Sequence, residues 1–482
     1  MTSPVFDVAV IGAGPAGLAA ALAAAGSGVT VAMIDAGLRA GGQYWRSPAP
    51  GAGPFKPHTL HHSWRRFSDV DTRLDEHAAA GRLARFAGHH VWSIAKADDR
   101  WAVRCTTGAE PRQRDARPPV TIHARRLVLA TGAYDRQLPF PGWDLPGVMT
   151  AGGVQSLLKG HLVVAGKTVV VAGTGPFLLP VAAVLARYGA RVPAIIEANT
   201  PLAFARSPRA VLGSPGKLGE AAAYAVQLLR HRVAVRHRHV VVRAFGSDRL
   251  EGVVVARLGE DGRPVARTER SIGCDVLAVG WGFTPQLELH LQVGCATRLD
   301  VDSSLVVDVD DSQRTSVDGV WAAGESTGVG GADLASVEGE LAGHSVAESL
   351  GAGPNQGCLD RLRRRRAALR QFAALLHRVY AIPAAVLDNV DDDTPVCRCE
   401  EVTAGVIRDA VKNLGATEPR TIKLLARPGM GWCQGRVCGF ATACLTARHT
   451  GRSIGEADLR AFAERPIATP TVMGHLAMLA DD

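Results

Sequence analysis

Aromatic residues are scarce in this 482-residue chain, 5% of the total, and no run interleaves them with basic residues. A stacking platform for nucleic acid needs that interleaving, so nucleic acid is not expected as a partner despite a formal net charge of +8. The positive charge is almost all Arg and is spread along the chain. Only Arg361 and Arg363 to Arg366 form a run, which reads as a solvated helix face or linker, with a docking patch as the alternative. No CxxC or CxxxxC pair precedes Cys433, and Cys105, Cys274, Cys295 and Cys358 stand alone. That absence excludes disulfide reduction, and these four are expected as small core or surface residues. No charged segment precedes the first apolar run, so no secretory signal is expected. The nine cysteines then read as cytoplasmic thiols or metal ligands rather than disulfides. No acid–base or nucleophile constellation stands out. His161, His290, His344 and His377 are isolated, and no catalytic residue is assigned.

Glycine, by contrast, is abundant: 53 residues, gathered in sharp clusters. Such clusters serve tight turns and close ligand approach. From Val8 to Ile34 the chain carries no charge over 27 positions, long enough for a membrane span. Pro15 and the glycines inside it argue instead for strand, turn, Ala-rich helix, turn and strand, so an integral membrane protein is not expected. Gly12-x-Gly14-x-x-Gly17 after a strand is a dinucleotide-binding turn. Gly12 permits the tight turn, Gly14 lets a pyrophosphate reach the backbone, and Gly17 lets helix pack on strand. The helix then offers free N–H groups and a positive dipole end to the phosphates. Asp35, 18 residues beyond Gly17, ends the next strand where a ribose-binding acid belongs.

A second unit of this kind follows. The strand Lys167 to Gly173 runs into Gly173-Thr-Gly175, a helix, and a strand ending at Glu197. Glu197 could accept from a ribose hydroxyl, but Leu178 stands at the third glycine position, so helix and strand cannot pack as closely. Two readings stay open: a site for a second nucleotide, NAD(P) or ATP/ADP, and a degenerate structural fold.

Four cysteines fall between residues 397 and 438: Cys397-Arg-Cys399, then Cys433 and Cys438, with spacing C-x-C-x33-C-x4-C. Four thiolates suit a 2Fe–2S cluster or structural zinc, and C-x-C is tighter than zinc pairs usually are. Cys444 lies six residues past Cys438 and is expected in the core.

The first turn, with Gly41-Gly42-Gln43 after Asp35, resembles the flavoproteins with two dinucleotide-binding domains. Leu127-Val-Leu-Ala-Thr131-Gly132 resembles their crossing between domains. Thr315 to Glu325, ending Ala-Gly324-Glu325, resembles their second FAD motif, in which Asp is usual where Glu325 stands. The resemblance implies FAD held by Gly12, Gly14, Gly17, Asp35, Gly42, Gln43, Thr131, Gly132, Gly324 and Glu325, and a second nucleotide at Gly173, Gly175 and Glu197. The cysteine segment resembles the bacterioferritin-associated-ferredoxin type of 2Fe–2S domain, which implies Cys397, Cys399, Cys433 and Cys438 as ligands. Taken together, GGQYWR, DRQLPFPGWDLPGVMTAGG, GVGGADLASVEGELAG and CRCEEVT with GMGWCQGRVCG resemble the FAD/2Fe–2S subunit of multisubunit bacterial amine dehydrogenases. That group contains hydrogen cyanide synthase, octopine/nopaline oxidase and D-hydroxyproline dehydrogenase. The implied fold is α/β: two Rossmann-like dinucleotide-binding folds plus a small C-terminal 2Fe–2S domain. The expected limits are 1–140 for the FAD fold, 141–275 for the second nucleotide fold and 276–350 for the return to the FAD fold. A helical linker over 351–394 and the 2Fe–2S domain with its tail over 395–482 complete the chain. The implied function is electron transfer in a heteromeric amino acid or opine dehydrogenase. Its partners would be two further subunits, one a D-amino-acid-oxidase-like flavoprotein and the other small and ferredoxin-like. The alternatives are a self-sufficient NAD(P)H-dependent reductase and a structural or regulatory nucleotide-binding subunit.

Overall fold

The computed structural model describes residues 5–49, 51–53, 56–107, 119–206, 215–353 and 356–478. The charge-free stretch folds as strand Val5–Ile11, helix Pro15–Gly26 and strand Val31–Asp35. The two strands pair in parallel, Val8 opposite Val31 and Ile11 opposite Ile34. On its other side Val5–Ile11 pairs in parallel with Val120–Leu129, which in turn pairs with Val320–Ala322. Chain from beyond residue 300 thus returns to complete the first sheet. Among the described residues, no helix is long and apolar enough to cross a membrane.

The Ala-rich helix carries only two large side chains, Leu18 and Leu22, so along its alanines a partner can come close. A Cβ on Gly339 would lie 1.9 Å from the Ala16 carbonyl oxygen, and one on Gly343 would lie 2.3 Å from that of Ala20. Helix Ala332–Glu348 therefore lies backbone to backbone on helix Pro15–Gly26. This contact carries Glu338 and the 320s loop to the first glycine turn.

A second sheet has five parallel strands. Their order is Ala234–His237, Ala194–Glu197, Val169–Gly173, Val276–Gly280 and Val148–Thr150. Strands Val169–Gly173 and Val276–Gly280 are buried throughout, as expected of a parallel sheet covered on both faces. Two short segments cross between the folds, Ala133–Asp135 and Phe283–Pro285. They pair antiparallel, with Tyr134 opposite Thr284.

Helix Gln356–Val379 carries the Arg run. Arg361, Arg364 and Arg365 face solvent. Arg363 instead reaches Ser312 and Asp360, and Arg366 reaches Asp311 and Glu338, so only part of the run is a solvated face. The C-terminal region pairs Pro395–Cys397 with Val402–Thr403, and adds helices Ala404–Lys412, Pro419–Ala426, Gly439–His449 and Glu456–Ala463. It is not a tethered module. Val396, Ile407, Ile422 and Cys438 share one apolar core with Trp143, Leu250 and Val253 of the second fold. Ala443 and Leu459 join the core of the first.

Candidate functional site

One cavity of about 1710 Å³ lies between the two folds. Nine of the ten residues expected at FAD line it: Gly12, Gly14, Asp35, Gly42, Gln43, Thr131, Gly132, Gly324 and Glu325. Gly17 does not, because it faces inward. A Cβ there would lie 1.7 Å from the Gly12 carbonyl oxygen. Gly12 has φ +108°, and its Cβ would lie 2.2 Å from the Ala130 carbonyl oxygen. Gly14 is different. A Cβ on it would meet only the Gly42 Cα, at 3.9 Å, so its face opens on the cavity. Asp35 accepts from the N–H of Ala13 and of Gly37, both at 2.6 Å, while burial pushes its carboxyl up. Gln43 accepts from the Arg46 guanidinium at 2.9 Å. Thr131 donates to the Gln286 carbonyl at 2.7 Å and the Gly132 carbonyl accepts from the Gln286 N–H at 2.9 Å, which ties the two crossing segments together. Gly324 donates its N–H to Glu338 at 3.1 Å. Glu325 uses its carboxylate on the N–H groups of Gly331 at 2.9 Å and Gly330 at 3.3 Å. Within the chain, then, its longer side chain braces a loop at the cavity edge.

Of the three residues expected to hold a second nucleotide, Gly175 lines the cavity, beside Thr174 and Pro176; Gly173 and Glu197 do not. Gly173 is packed so closely that a Cβ would lie 1.8 Å from the Gly280 carbonyl oxygen. Glu197 is tucked beneath the turn. It accepts from the Gly175 N–H at 2.9 Å, the Thr174 hydroxyl at 3.0 Å and the Asn199 N–H at 2.9 Å. Burial pushes its carboxyl up to about 7 against those three donors. The helix after this turn begins at Leu178, three residues past Gly175, whereas Pro15 follows Gly14 directly. Leu178 is fully buried, and a branched side chain there keeps the first turn of helix off the strand. The chain also reaches over this turn from outside the fold. The Thr174 hydroxyl also lies 3.2 Å from the Tyr380 carbonyl, and Asn199 donates to that of Ala381 at 2.8 Å.

The four expected ligand cysteines come together. Cys438 contacts Cys397 and Cys433, and Cys433 contacts Cys399. Hydrogen bonding with Cys438 holds the Cys397 and Cys433 thiols below the usual range, while that of Cys438 is pushed up. N–H groups of Gly429, Glu400 and Cys399 point to the Cys397 sulfur, and those of Val437 and Gly435 to Cys433. Backbone can approach so closely because of glycine: a Cβ on Gly431 would lie 2.2 Å from that of Cys399. Among the described residues, no three His, Cys, Asp or Glu side chains surround a single ion position. The thiols contact one another in the order Cys397, Cys438, Cys433, Cys399. The isolated thiols of Cys105 and Cys274 are pushed up to about 12 by burial and that of Cys295 to about 11.

Comparison with known proteins extends this geometry. Residues 6–349 match the model for pyridine nucleotide-disulphide oxidoreductases. The chain belongs to that family. Residues 395–445 match the BFD-like [2Fe-2S] binding domain. The chain is 31% identical over 451 residues to hydrogen cyanide synthase subunit HcnB of Pseudomonas protegens, covering 92% of each. It is 31% identical over 491 residues to an opine oxidase subunit from Agrobacterium tumefaciens, covering 99% of this chain and 92% of that one. The crystal structure of L-proline dehydrogenase from P. horikoshii superposes with a TM-score of 0.71 at 21% identity, over 98% of this chain and 79% of that one, a likeness of fold. This member of the family is thus an oxidoreductase subunit whose cofactors are FAD and a 2Fe–2S cluster. The residues present fit both groups: an open glycine face at Gly14 for a pyrophosphate, and four converging thiols ringed by N–H donors.

Several residues of this site escaped the sequence. Glu338 and Arg370 hold the return turn, although Glu338 sits inside the segment GVGGADLASVEGELAG. Arg136 is buried, paired with Asp302 at 3.0 Å, and stacked 4.2 Å from the Phe440 ring centre. Burial raises the Asp302 carboxyl, but Arg136, His377 and the two Ser304 hydrogen bonds together more than offset it and hold the group below the usual range. Phe440 and Cys444 both line the cavity, from the helix that starts at the cluster cysteines. Cys444 is therefore a cavity residue rather than plain core, its thiol pushed up to about 11 by burial. Only the packing of the third domain on the first two could reveal that.

Proposed function

We propose that this chain is the electron-handling subunit of a heteromeric dehydrogenase that oxidises C–N bonds of amino acids or opines. It delivers to an acceptor the electrons that it takes from a partner flavoprotein. One observation carries this reading: the flavin cavity and the thiol cluster share a wall. Cys438 caps helix Gly439–His449, and the next turns of that helix put Phe440 and Cys444 on the cavity. Bound FAD supplies two-electron acceptance and single-electron release, and a 2Fe–2S cluster carries one electron at a time. In this chain Gly14 and Gly42 make room for the cofactor, Thr131 and Gln286 lock the crossing segments beside it, and Arg136 fixes Phe440 between the two centres.

We take the ten FAD residues, the four cysteines and the domain limits given above as the working assignment. The C–N donor and the presence of a partner follow the names of the relatives, subunits of a hydrogen cyanide synthase and an opine oxidase; the D-amino-acid-oxidase-like character of that partner follows the family resemblance. The late helix start at Leu178, the tucked Glu197 and the Tyr380–Ala381 crossing argue against NAD(P)H as the donor.

The test is reconstitution. The purified chain, mixed with candidate amino acids and opines, should keep an oxidised flavin spectrum. Addition of the partner flavoprotein should let substrate reduce both flavin and cluster. Turnover of an amino acid by the isolated chain with an artificial dye, at the rate of the whole complex, would overturn the proposal.

A further inference from the structure

The cavity holds a second polar corner that the FAD residues do not use. Helix Ala151–His161 presents Gln155 and Lys159 to it, one turn apart on the same face. Both are more than nine-tenths buried, at 8% and 7% exposure. Among the described residues, the Gln155 carboxamide has no hydrogen-bond partner. The Lys159 ammonium has one, the Tyr44 carbonyl at 3.2 Å, and lies 5.8 Å from the Tyr44 ring centre. Two of its three N–H donors are left over. Burial alone lowers Lys159 to about 8, and no described carboxylate stands near enough to offset it. A buried cation without a counter-ion beside an unpaired amide is costly unless a ligand completes it. The neighbouring cation Arg46 is already engaged by Gln43. The nearby His61 is lowered to about 4 by burial first and Lys159 second, so it adds no charge at neutral pH.

We propose that Gln155 and Lys159 form a binding site for a small organic carboxylate in the cleft between the two dinucleotide folds. One cation and one amide donor match a singly charged carboxylate; a phosphate dianion would remain undercompensated. The cavity lining also carries the apolar side chains Leu60, Phe177, Leu179 and Val184, which suits a carboxylate on a hydrocarbon or aromatic body. Room exists, because about 1710 Å³ exceeds the roughly 300–1,000 Å³ of an ordinary ligand site and leaves space beside one FAD. The glycines Gly152, Gly153 and Gly160 keep the cavity side of this helix low. The site rests on the reading that FAD occupies the Gly14 side of the cavity.

The experiment is a calorimetric titration of the purified FAD- and cluster-loaded chain with benzoate as the probe, followed in parallel by the flavin difference spectrum. Benzoate should bind saturably, and neutral benzamide at least about tenfold more weakly. K159M and Q155L should each weaken benzoate by about tenfold or more, while K159R stays within about threefold of the parent. Flavin content and circular dichroism should be unchanged in all three. The proposal is overturned if the parent shows no saturation below about 10 mM, or if K159M and Q155L bind as the parent does. It is equally overturned if K159M loses its FAD while Q155L binds normally, which would assign Lys159 to the flavin itself. A failure of the FAD assignment would show separately, as a parent chain without flavin absorbance.

Discussion

The Glu338 carboxylate and the Arg370 guanidinium meet at 2.7 Å in the interior, and the other carboxylate oxygen takes the N–H of Gly324. Glu338 is wholly buried, and Arg370 also reaches the Gly328 carbonyl and the Thr327 hydroxyl. Removal of Arg370 leaves Glu338 with Arg366, at 3.5 Å, as its remaining cation, so the cost falls below the about 3–5 kcal/mol of a fully uncompensated buried charge. Arg370→Met should therefore lower the denaturation midpoint and reduce FAD retention, because the return turn loses its brace. Chemical denaturation and flavin content check both halves.

Gly14→Val and Gly17→Val should fail in different ways. Gly14 faces the cavity, so two added methyl groups block the pyrophosphate and leave the fold intact. Gly17 faces the Gly12 carbonyl at 1.7 Å for a Cβ, so its substitution disrupts the turn itself. The first variant should be folded and colourless by circular dichroism and flavin absorbance, the second unstable.

Any one of Cys397, Cys399, Cys433 and Cys438 changed to Ala should bleach the cluster bands. Cys444→Ala should keep them, since that thiol faces the flavin cavity. Iron and acid-labile sulfide analysis should give about two of each per chain in the parent.

Glu197 supplies a pH signature. Its buried carboxyl is raised from the ordinary 4.5 to about 7, so the folded state binds its proton more tightly than the unfolded state. The stability it contributes is complete below about 4.5 and is lost as pH rises through about 7. The unfolding free energy of the parent, from urea titrations, should fall between about pH 4.5 and 7 by an amount on the order of 3 kcal/mol. Glu197→Gln should flatten that slope. Equal slopes in the two proteins would show that Glu197 is not the buried acid responsible.

The glycine turns, the strand-ending acids and the cysteine pairs were legible because each is a local device. A tight turn needs glycine within a few residues, and a cluster pair needs thiols at fixed spacing. The difference between the two acids was not legible. Asp35 and Glu197 follow their turns at similar distances, yet Asp35 lines the cavity and Glu197 lies beneath it. Leu178 hinted at this, since the position after the second turn lacks its glycine.

By itself, the sequence determined two nucleotide folds, a thiol cluster and their order along the chain, because backbone conformation and ligand spacing are short-range properties. Tertiary structure alone decided what those pieces face. Gly339 and Gly343 let one helix seat on Ala16 and Ala20 and deliver Glu338 to the return turn. The third domain shares a core with both folds and turns Phe440 and Cys444 toward the cavity between them. Arg366 and Arg370 lie in or beside a run that reads as solvent-facing, yet both reach a buried carboxylate. Such contacts join residues tens to hundreds of positions apart, and they form only when buried charges find partners and apolar faces close over them.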